Sequence, residues 1–248
     1  MCDDRPGREH GGMTSNSVAS PRATTRAAWR GRLVPAGLIT LSLVPVVAGA
    51  ARVSQLAGGG PVTAANARFF DSPVPVIVHI VGSTVFLLLG ALQFAPELRR
   101  RAWHRRAGRL VAPAGLLSAL SAAWMTLFYA LPPEVTGPGL SALRLVLAAV
   151  MAGGIVVAFL AIRRGDVRTH RAWMMRAYAI GLGAGTQVLT FLPWTLLVGA
   201  PTPVGHTLLM AAGWAINLVV AEIVIRRSPG PRATRSGRLS APQAPPLS

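Results

Sequence analysis

The sequence is poor in cysteine and in acidic residues. Cys2 is its only cysteine, so this chain alone forms no intramolecular disulfide, no thiolate zinc site and no iron–sulfur cluster. Any metal or cofactor must then be held by histidine, carboxylate or backbone groups. Only 8 residues are Asp or Glu, and the apolar segments contain no paired carboxylates, no nucleophile–base pair and no metalloprotease motif. The sequence therefore gives little support to a hydrolase.

Basic residues far outnumber acidic ones. The chain has 25 basic residues, a formal net charge of +17 and a sequence pI near 12.0. A nucleic-acid-binding surface needs a contiguous basic face, whereas these arginines are dispersed over alternate connections. Nucleic acid is therefore not an expected partner. The basic connections would instead attract the anionic headgroups of lipids.

Long apolar runs dominate the rest of the sequence, which is 52% hydrophobic. An apolar helix of about 20 residues spans the roughly 30 Å hydrocarbon core of a bilayer. Six segments have this character, at 33–53, 74–95, 110–131, 140–162, 172–198 and 204–225. They are apolar on all faces, which favours helices over the alternating strands of a barrel. We predict an all-α integral membrane protein built as a bundle of six transmembrane helices.

The distribution of arginine predicts how this bundle is oriented. Arginines in short connections stay on the cytoplasmic side. They are concentrated between segments two and three and between segments four and five, whereas residues 132–139 and 199–203 contain none. Both ends of the chain are also basic. We therefore predict a plasma-membrane protein with both termini in the cytoplasm, which agrees with an even number of crossings.

The two ends of the chain have too few apolar side chains to offset the entropy of ordering. We predict a disordered basic tail at 1–28, the transmembrane domain at 29–227 and a second disordered tail at 228–248. The first apolar segment could also be a secretory signal cleaved after Ala50. Its apolar run is longer than the 7–15 residues usual for such signals, so we expect an uncleaved first helix.

Four histidines flank or enter the apolar segments. His79 lies near the outer end of the second segment and His206 at the outer start of the sixth, while His104 and His170 precede segments three and five on the cytoplasmic side. Two imidazoles at matching depth can hold a b-type haem between them. One hypothesis is therefore a haem- or quinone-linked electron-transfer protein that uses His79 and His206, with His104 and His170 as weaker candidates. The alternative is that the outer histidines, His79 and His206, anchor helices at the membrane interface and form hydrogen bonds with carbonyl groups or lipid.

Polar side chains within the segments suggest a second function. Gln93, Gln187 and Asn217 lie on helix faces that also carry small residues, and such faces point toward helix contacts or an internal cavity. With Arg176 as an anion contact, they would suit a carrier or permease for a small solute. A membrane protein with a structural role and no catalysis is the remaining possibility.

Charged residues inside the segments need partners. Arg176 and Glu222 lie at similar depth in segments five and six, so we pair them; Arg144 would pair with Glu134 or Asp71. The alternative is that both arginines extend to the lipid headgroups, because each lies about one turn from a helix end. Four prolines within the segments are expected to kink them: Pro35, Pro45, Pro113 and Pro193. Gly181 and Gly185, four residues apart, predict close helix packing.

Three short motifs resemble those of a known family. They are His79 with Gly90-Ala91-Leu92-Gln93-Phe94, the His-Arg-x-x-Gly-Arg of residues 104–109, and the His-Arg-x-Trp-Met-x-Arg-x-Tyr of residues 170–178. Over about 74–198 the chain resembles the bacterial predicted membrane proteins grouped as domain of unknown function 2306. The resemblance associates one further arginine with the later part of the fifth segment, where this chain has Gln187-Val188-Leu189-Thr190. It implies an integral membrane protein and supplies no activity.

Overall fold

The computed structural model describes residues 21–95, 97, 98, 101–132, 136 and 139–227, and every regular element among them is an α-helix. The predicted all-α fold is confirmed. In chain order the helices are α1 (Pro21–Ala57), α2 (Ala67–Asp71), α3 (Pro73–Leu92), α4 (Arg101–Phe128), α5 (Leu140–Arg163), α6 (Val167–Gly181), α7 (Gly183–Leu197) and α8 (Pro203–Arg227).

Five of these helices are long and apolar enough to cross a membrane. They are Arg32–Ala57, Pro73–Leu92, Ala102–Phe128, Leu140–Arg163 and Pro203–Arg227. The bent pair α6 and α7 makes a sixth crossing if it is counted as one span. When this pair is counted as one span, the connections α1–α3, α4–α5 and α7–α8 share one face of the bundle, which we call the arginine-poor face. The opposite, arginine-rich face has the connections α3–α4 and α5–α6.

Two helices begin earlier than their apolar segments. α1 begins at Pro21, inside the range predicted to be a disordered tail, and runs without interruption past Ala50. α4 begins at Arg101, before the apolar segment at 110–131. Arginine and alanine are good helix formers, so both helices extend beyond their apolar parts. Residues 1–20 and 228–248, the rest of the predicted tails, lie outside the described residues.

The fifth predicted segment is broken between α6 and α7, which meet at Leu182 with a bend of 42°. Side chains of α8 bond to carbonyl groups beside the break: Trp214 Nε1 donates to Ile180 O at 3.2 Å and Asn217 Nδ2 to Ala179 O at 3.1 Å. Inside a membrane an interrupted helix needs such substitute partners. The break is therefore held by α8.

The core lies where α3, α4, α5 and α6 meet. Phe86 of α3 is fully buried there and packs near Tyr178 of α6, with the ring centroids 5.7 Å apart. The Tyr178 hydroxyl donates to Leu87 O at 2.9 Å. α3 packs against α1, α4 and α6, whereas α8 packs against α6 and α7. These neighbours decide which side chains can share a site.

Asp166 caps the first turn of α6 on the arginine-rich face. Its carboxylate accepts a hydrogen bond from the Thr169 backbone N–H at 2.9 Å, and the hydrogen bonds from Thr169 lower the pKa of Asp166. A lowered pKa means that the cap stabilises the helix above the pKa of the unfolded chain and is lost as the pH falls through the folded pKa.

We therefore expect Asp166→Ala, or acidification below about pH 4, to fray the start of α6. Hydrogen exchange should become faster at residues 168–170 and stay unchanged in α5. Asp71→Ala is the control, because no hydrogen bond or ion pair of the Asp71 carboxylate occurs among the described residues. Equal exchange in Asp166→Ala and the wild type would contradict the capping role.

Candidate functional site

A cleft opens between α5, α7 and α8 near the arginine-poor face. The cleft is shallow and open to the surroundings of the bundle, and its volume is about 310 Å³. Three polar side chains and four apolar ones line it: Arg144, Gln187 and His206, with Ala184, Val188, Phe191 and Met210. Concave, mainly apolar sites with a few convergent polar groups are typical of binding sites for small molecules.

Arg144 is the charged group of this cleft. It lies in the second turn of α5, and its Nη2 donates to the sulfur of Met210 at 3.4 Å. A thioether is a weak acceptor and carries no compensating charge. Among the described residues Arg144 has no carboxylate partner, so its predicted pairing with Asp71 is wrong; Glu134 lies outside those residues. The chain folds with Asp71 on α2, while α5 faces α7 and α8 across the cleft.

His206 and Gln187 complete the polar part of the cleft. The His206 ring packs edge-on against Phe191 with centroids 5.0 Å apart. Its Nδ1 is buried and has no hydrogen-bond partner in the described part of the chain. Gln187 Nε2 donates to Met210 O at 3.2 Å, which fixes that amide in place. Within the described part of the chain, the cleft thus combines a guanidinium that has no counter-ion with an imidazole nitrogen that has no hydrogen-bond partner.

Arg176 lies elsewhere, at the end of the bundle near the arginine-rich face. Its Nε and Nη2 donate to the two carboxylate oxygens of Glu222 at 2.5 and 3.2 Å, and its guanidinium lies 5.0 Å from the Trp173 ring centroid. The pairing predicted from their depth is confirmed. Arg176 is therefore paired with a carboxylate, and the guanidinium that lines the cleft is that of Arg144.

The site and most of the fold fall within one family match. The family model described as "Predicted membrane protein (DUF2306)" matches residues 76–225. The chain belongs to the DUF2306 family. No curated protein and no solved structure matches the chain.

The DUF2306 match confirms the resemblance of the three motifs and extends it through α8. It includes Arg144, His206 and the Arg176–Glu222 pair. It begins after α1 and α2, so the features of those helices are outside the part that defines the family. The family description is that of a membrane protein of unknown function and supplies no reaction.

His79 and His206 lie in different helix interfaces of this DUF2306 protein. His79 of α3 faces α4, where its Nδ1 lies 3.0 Å from Ser118 O and 3.4 Å from Ser121 Oγ. His206 lines the cleft of α5, α7 and α8. Equal depth along the bundle therefore does not bring the two rings together, because α3 and α8 have different neighbours. Binding of haem b by this pair stays a prediction from the sequence.

The two histidines near the arginine-rich face also lie apart from the cleft. His170, in the first turn of α6, has its Nδ1 2.9 Å from Ala158 O of α5, so it joins the two helices of the α5–α6 hairpin. His104 lies in the first turns of α4. His170 thus contacts a backbone carbonyl group, the kind of contact that the alternative to haem ligation expected of His79 and His206.

The predicted polar stripe of Gln93, Gln187 and Asn217 is divided among three places. Gln187 lines the cleft, and Asn217 bonds at the α6–α7 break, where it also accepts a hydrogen bond from Thr186 Oγ1 at 2.7 Å. Gln93 ends α3, and its side-chain nitrogen and oxygen are buried with no hydrogen-bond partner among the described residues. What the sequence did not reveal is the grouping of Gln187 with Arg144 and His206. Their common signal is a polar side chain on a strongly apolar helix.

The described residues contain no group of three or more His, Cys, Asp or Glu side chains that could hold a metal ion.

Proposed function

We propose that this multi-pass membrane protein binds a small anionic solute in the α5–α7–α8 cleft and acts as a carrier for it. The observation that carries the proposal is Arg144, a guanidinium in a membrane-spanning helix that contacts the Met210 sulfur and has no carboxylate partner among the described residues. A charged side chain inside a bilayer is costly unless it is paired. A bound anion would supply the missing charge.

The neighbours of Arg144 favour a carboxylate or phosphate group with an apolar remainder. A guanidinium presents several N–H donors in a plane and binds such groups through two parallel hydrogen bonds. His206 offers a further ring nitrogen beside it, while Val188, Phe191 and Met210 provide apolar walls. An aromatic carboxylate such as benzoate matches both features and is a suitable probe.

The broken helix beside the cleft supports transport rather than static binding. Ala184 and Gln187, which line the cleft, lie in the first turns of α7 just after the break at Leu182. Carriers commonly place a solute at the interrupted part of a helix, because two half-helices can tilt separately. With the predicted orientation, the cleft would load a solute from the side opposite the cytoplasm.

We expect benzoate to stabilise the purified wild-type protein in detergent and to have no effect on Arg144→Gln. At 100 times its dissociation constant a ligand stabilises a protein by about 2.7 kcal/mol, which gives a shift of several degrees in the thermal midpoint. Arg163→Gln is the matched control, because it removes the same charge from the exposed other end of α5 and should respond like the wild type. Equal stabilisation by the neutral analogue benzamide, or by benzoate in Arg144→Gln, would refute the proposal.

A visible absorption spectrum separates this function from the haem hypothesis. A haem b protein is coloured, whereas a carrier of small anions is not.

The plasma membrane location and the cytoplasmic termini belong to the same proposal, and they rest on the arginine content of the α3–α4 and α5–α6 connections.

A further inference from the structure

A second cationic cluster lies on the arginine-poor face, outside the cleft and outside the family match. Arg52 near the end of α1 and Arg68 of α2 both place their guanidinium groups against the ring of Phe69, at 4.6 and 4.4 Å from its centroid. We call these three residues the arginine clamp. The cluster belongs to the part of the chain before residue 76, where the family match begins.

The clamp is held rigidly by its surroundings. Asn66, which is only 5% exposed, accepts from the Thr63 N–H at 2.6 Å and donates to Pro61 O at 3.0 Å. These bonds fix the turn that precedes α2. Phe69 packs edge-on against Tyr129, the residue that follows α4, with centroids 5.5 Å apart, and the Tyr129 hydroxyl donates to Ser72 O at 2.6 Å. The aromatic ring that both cations contact is therefore linked, through Tyr129, to the end of α4 and to the start of α3.

Neither guanidinium of the clamp has a carboxylate partner among the described residues. Arg52 donates to the Gln55 amide oxygen and Arg68 Nη1 to Ala65 O at 2.6 Å. Arg68 Nε is buried and has no hydrogen-bond partner in that part of the chain. Burial and the charge of Arg52 lower the pKa of Arg68. Two cations against one ring repel each other, and an anion in contact with both would relieve the repulsion.

Aromatic side chains next to the clamp identify the kind of anion. Trp124 packs against Tyr129 with centroids 5.6 Å apart, and Phe128 packs against Trp124 at 5.1 Å. Phe128 is 66% exposed and Trp124 38% exposed. Aromatic side chains at the ends of membrane helices lie at the level of the lipid headgroups, and their exposed surfaces would contact acyl chains. The cluster therefore joins a charged site to an apolar surface, the two parts of a phospholipid.

We propose that the arginine clamp binds the phosphate group of an anionic phospholipid, whose acyl chains pack against Trp124 and Phe128. The lipid would then link α1, α2 and α4 at this edge of the bundle. This site is separate from the cleft, so the proposed transport function and the lipid site can fail independently.

The test measures lipid retained on the purified protein by native mass spectrometry, with phosphatidylglycerol and with diacylglycerol, which lacks the phosphate. The wild type should retain phosphatidylglycerol in preference to diacylglycerol. The double variant Arg52→Gln/Arg68→Gln should bind it about tenfold more weakly or lose it, because each arginine near a membrane surface contributes to lipid affinity. Arg105→Gln/Arg106→Gln removes two exposed charges from the arginine-rich face and should retain the lipid, as should Arg144→Gln.

Three results would overturn the proposal. One is unchanged retention of phosphatidylglycerol in the double variant. The second is an equal loss in Arg105→Gln/Arg106→Gln, which would mean that net charge alone sets the affinity. The third is thermal stabilisation of the wild type by inorganic phosphate that equals its stabilisation by phosphatidylglycerol. That result would mean that the clamp binds a free anion rather than a lipid. If the double variant does not fold, the single changes Arg52→Gln and Arg68→Gln are compared, and each should weaken retention.

Discussion

Replacing Gly185 with valine should separate α1 from α7 and leave little folded protein. A Cβ atom at Gly185 would overlap the carbonyl oxygen of Leu41 in α1. That oxygen is a backbone atom, so it moves only if the whole of α1 moves. Overpacking of this kind commonly costs about 1–3 kcal/mol and sometimes more, and we expect the upper end because the obstacle is rigid. The measurement is the thermal midpoint in detergent, together with the fraction of monodisperse protein.

Gly153→Val is the matched control for this change. Gly153 lies in the middle of α5, and a Cβ atom there meets nothing within 4 Å. Both substitutions add the same β-branched side chain to an apolar helix, so the intrinsic preference of the helix for the new residue is the same. If the two variants lose the same stability, the close approach of α1 and α7 does not hold the bundle together.

The positions of the spanning helices could be predicted because a bilayer imposes them, and the predicted number of six is reached when α6 and α7 are counted as one span. A run of about 20 apolar residues has few alternatives in lipid, and the predicted 140–162 and 204–225 agree closely with α5 and α8. Helix ends outside the hydrocarbon are set by propensity and by neighbours instead. This is why the starts of α1 and α4 differed from prediction.

The break in the fifth segment could not be located from local sequence features such as proline. Pro193 suggested a kink, yet it lies within α7, and the chain bends at Leu182 between Gly181 and Gly183. The bend depends on side chains of α8 that replace lost backbone bonds, and these partners are distant in sequence. The close packing expected of Gly181 and Gly185 is confirmed, with Phe86 of α3 and Leu41 of α1 as the two partners.

The candidate site also combines features that the sequence predicts with features that depend on which helices are neighbours. Depth in the membrane can be counted along each segment, so Arg176 and Glu222 could be paired from the sequence. The order of helices around the bundle cannot be counted in this way. His79 and His206 have similar depth but face α4 and the cleft respectively. For the same reason the sequence identified Arg144 without revealing that His206 is its neighbour.

The second large effect is expected at the Arg176–Glu222 pair, where removing one charge should be worse than removing both. The two side chains are 28% and 34% exposed, and two hydrogen bonds join them. Glu222→Gln leaves Arg176 uncompensated on a spanning segment, and Arg176→Gln leaves Glu222 with only Arg226, whose Nε is 3.9 Å away. Each single change should cost about 2 kcal/mol, less than for a fully buried pair. Arg176→Gln/Glu222→Gln should recover much of that loss.

A double-mutant cycle measures this recovery as a coupling energy. We use neutral glutamine rather than exchange of the two charges, because Glu222→Arg would place a cation beside Arg226. The same cycle on Arg32 and Glu97 is the control, since that pair is 73% and 61% exposed and should couple by less than about 1 kcal/mol. A coupling energy at Arg176–Glu222 no larger than that of the control pair would contradict the prediction. It would mean that the two side chains interact with polar lipid headgroups and contribute little to the packing of α6 on α8. A larger coupling would make it the electrostatic link that keeps the arginine-rich end of α8 in place while α7 lines the cleft.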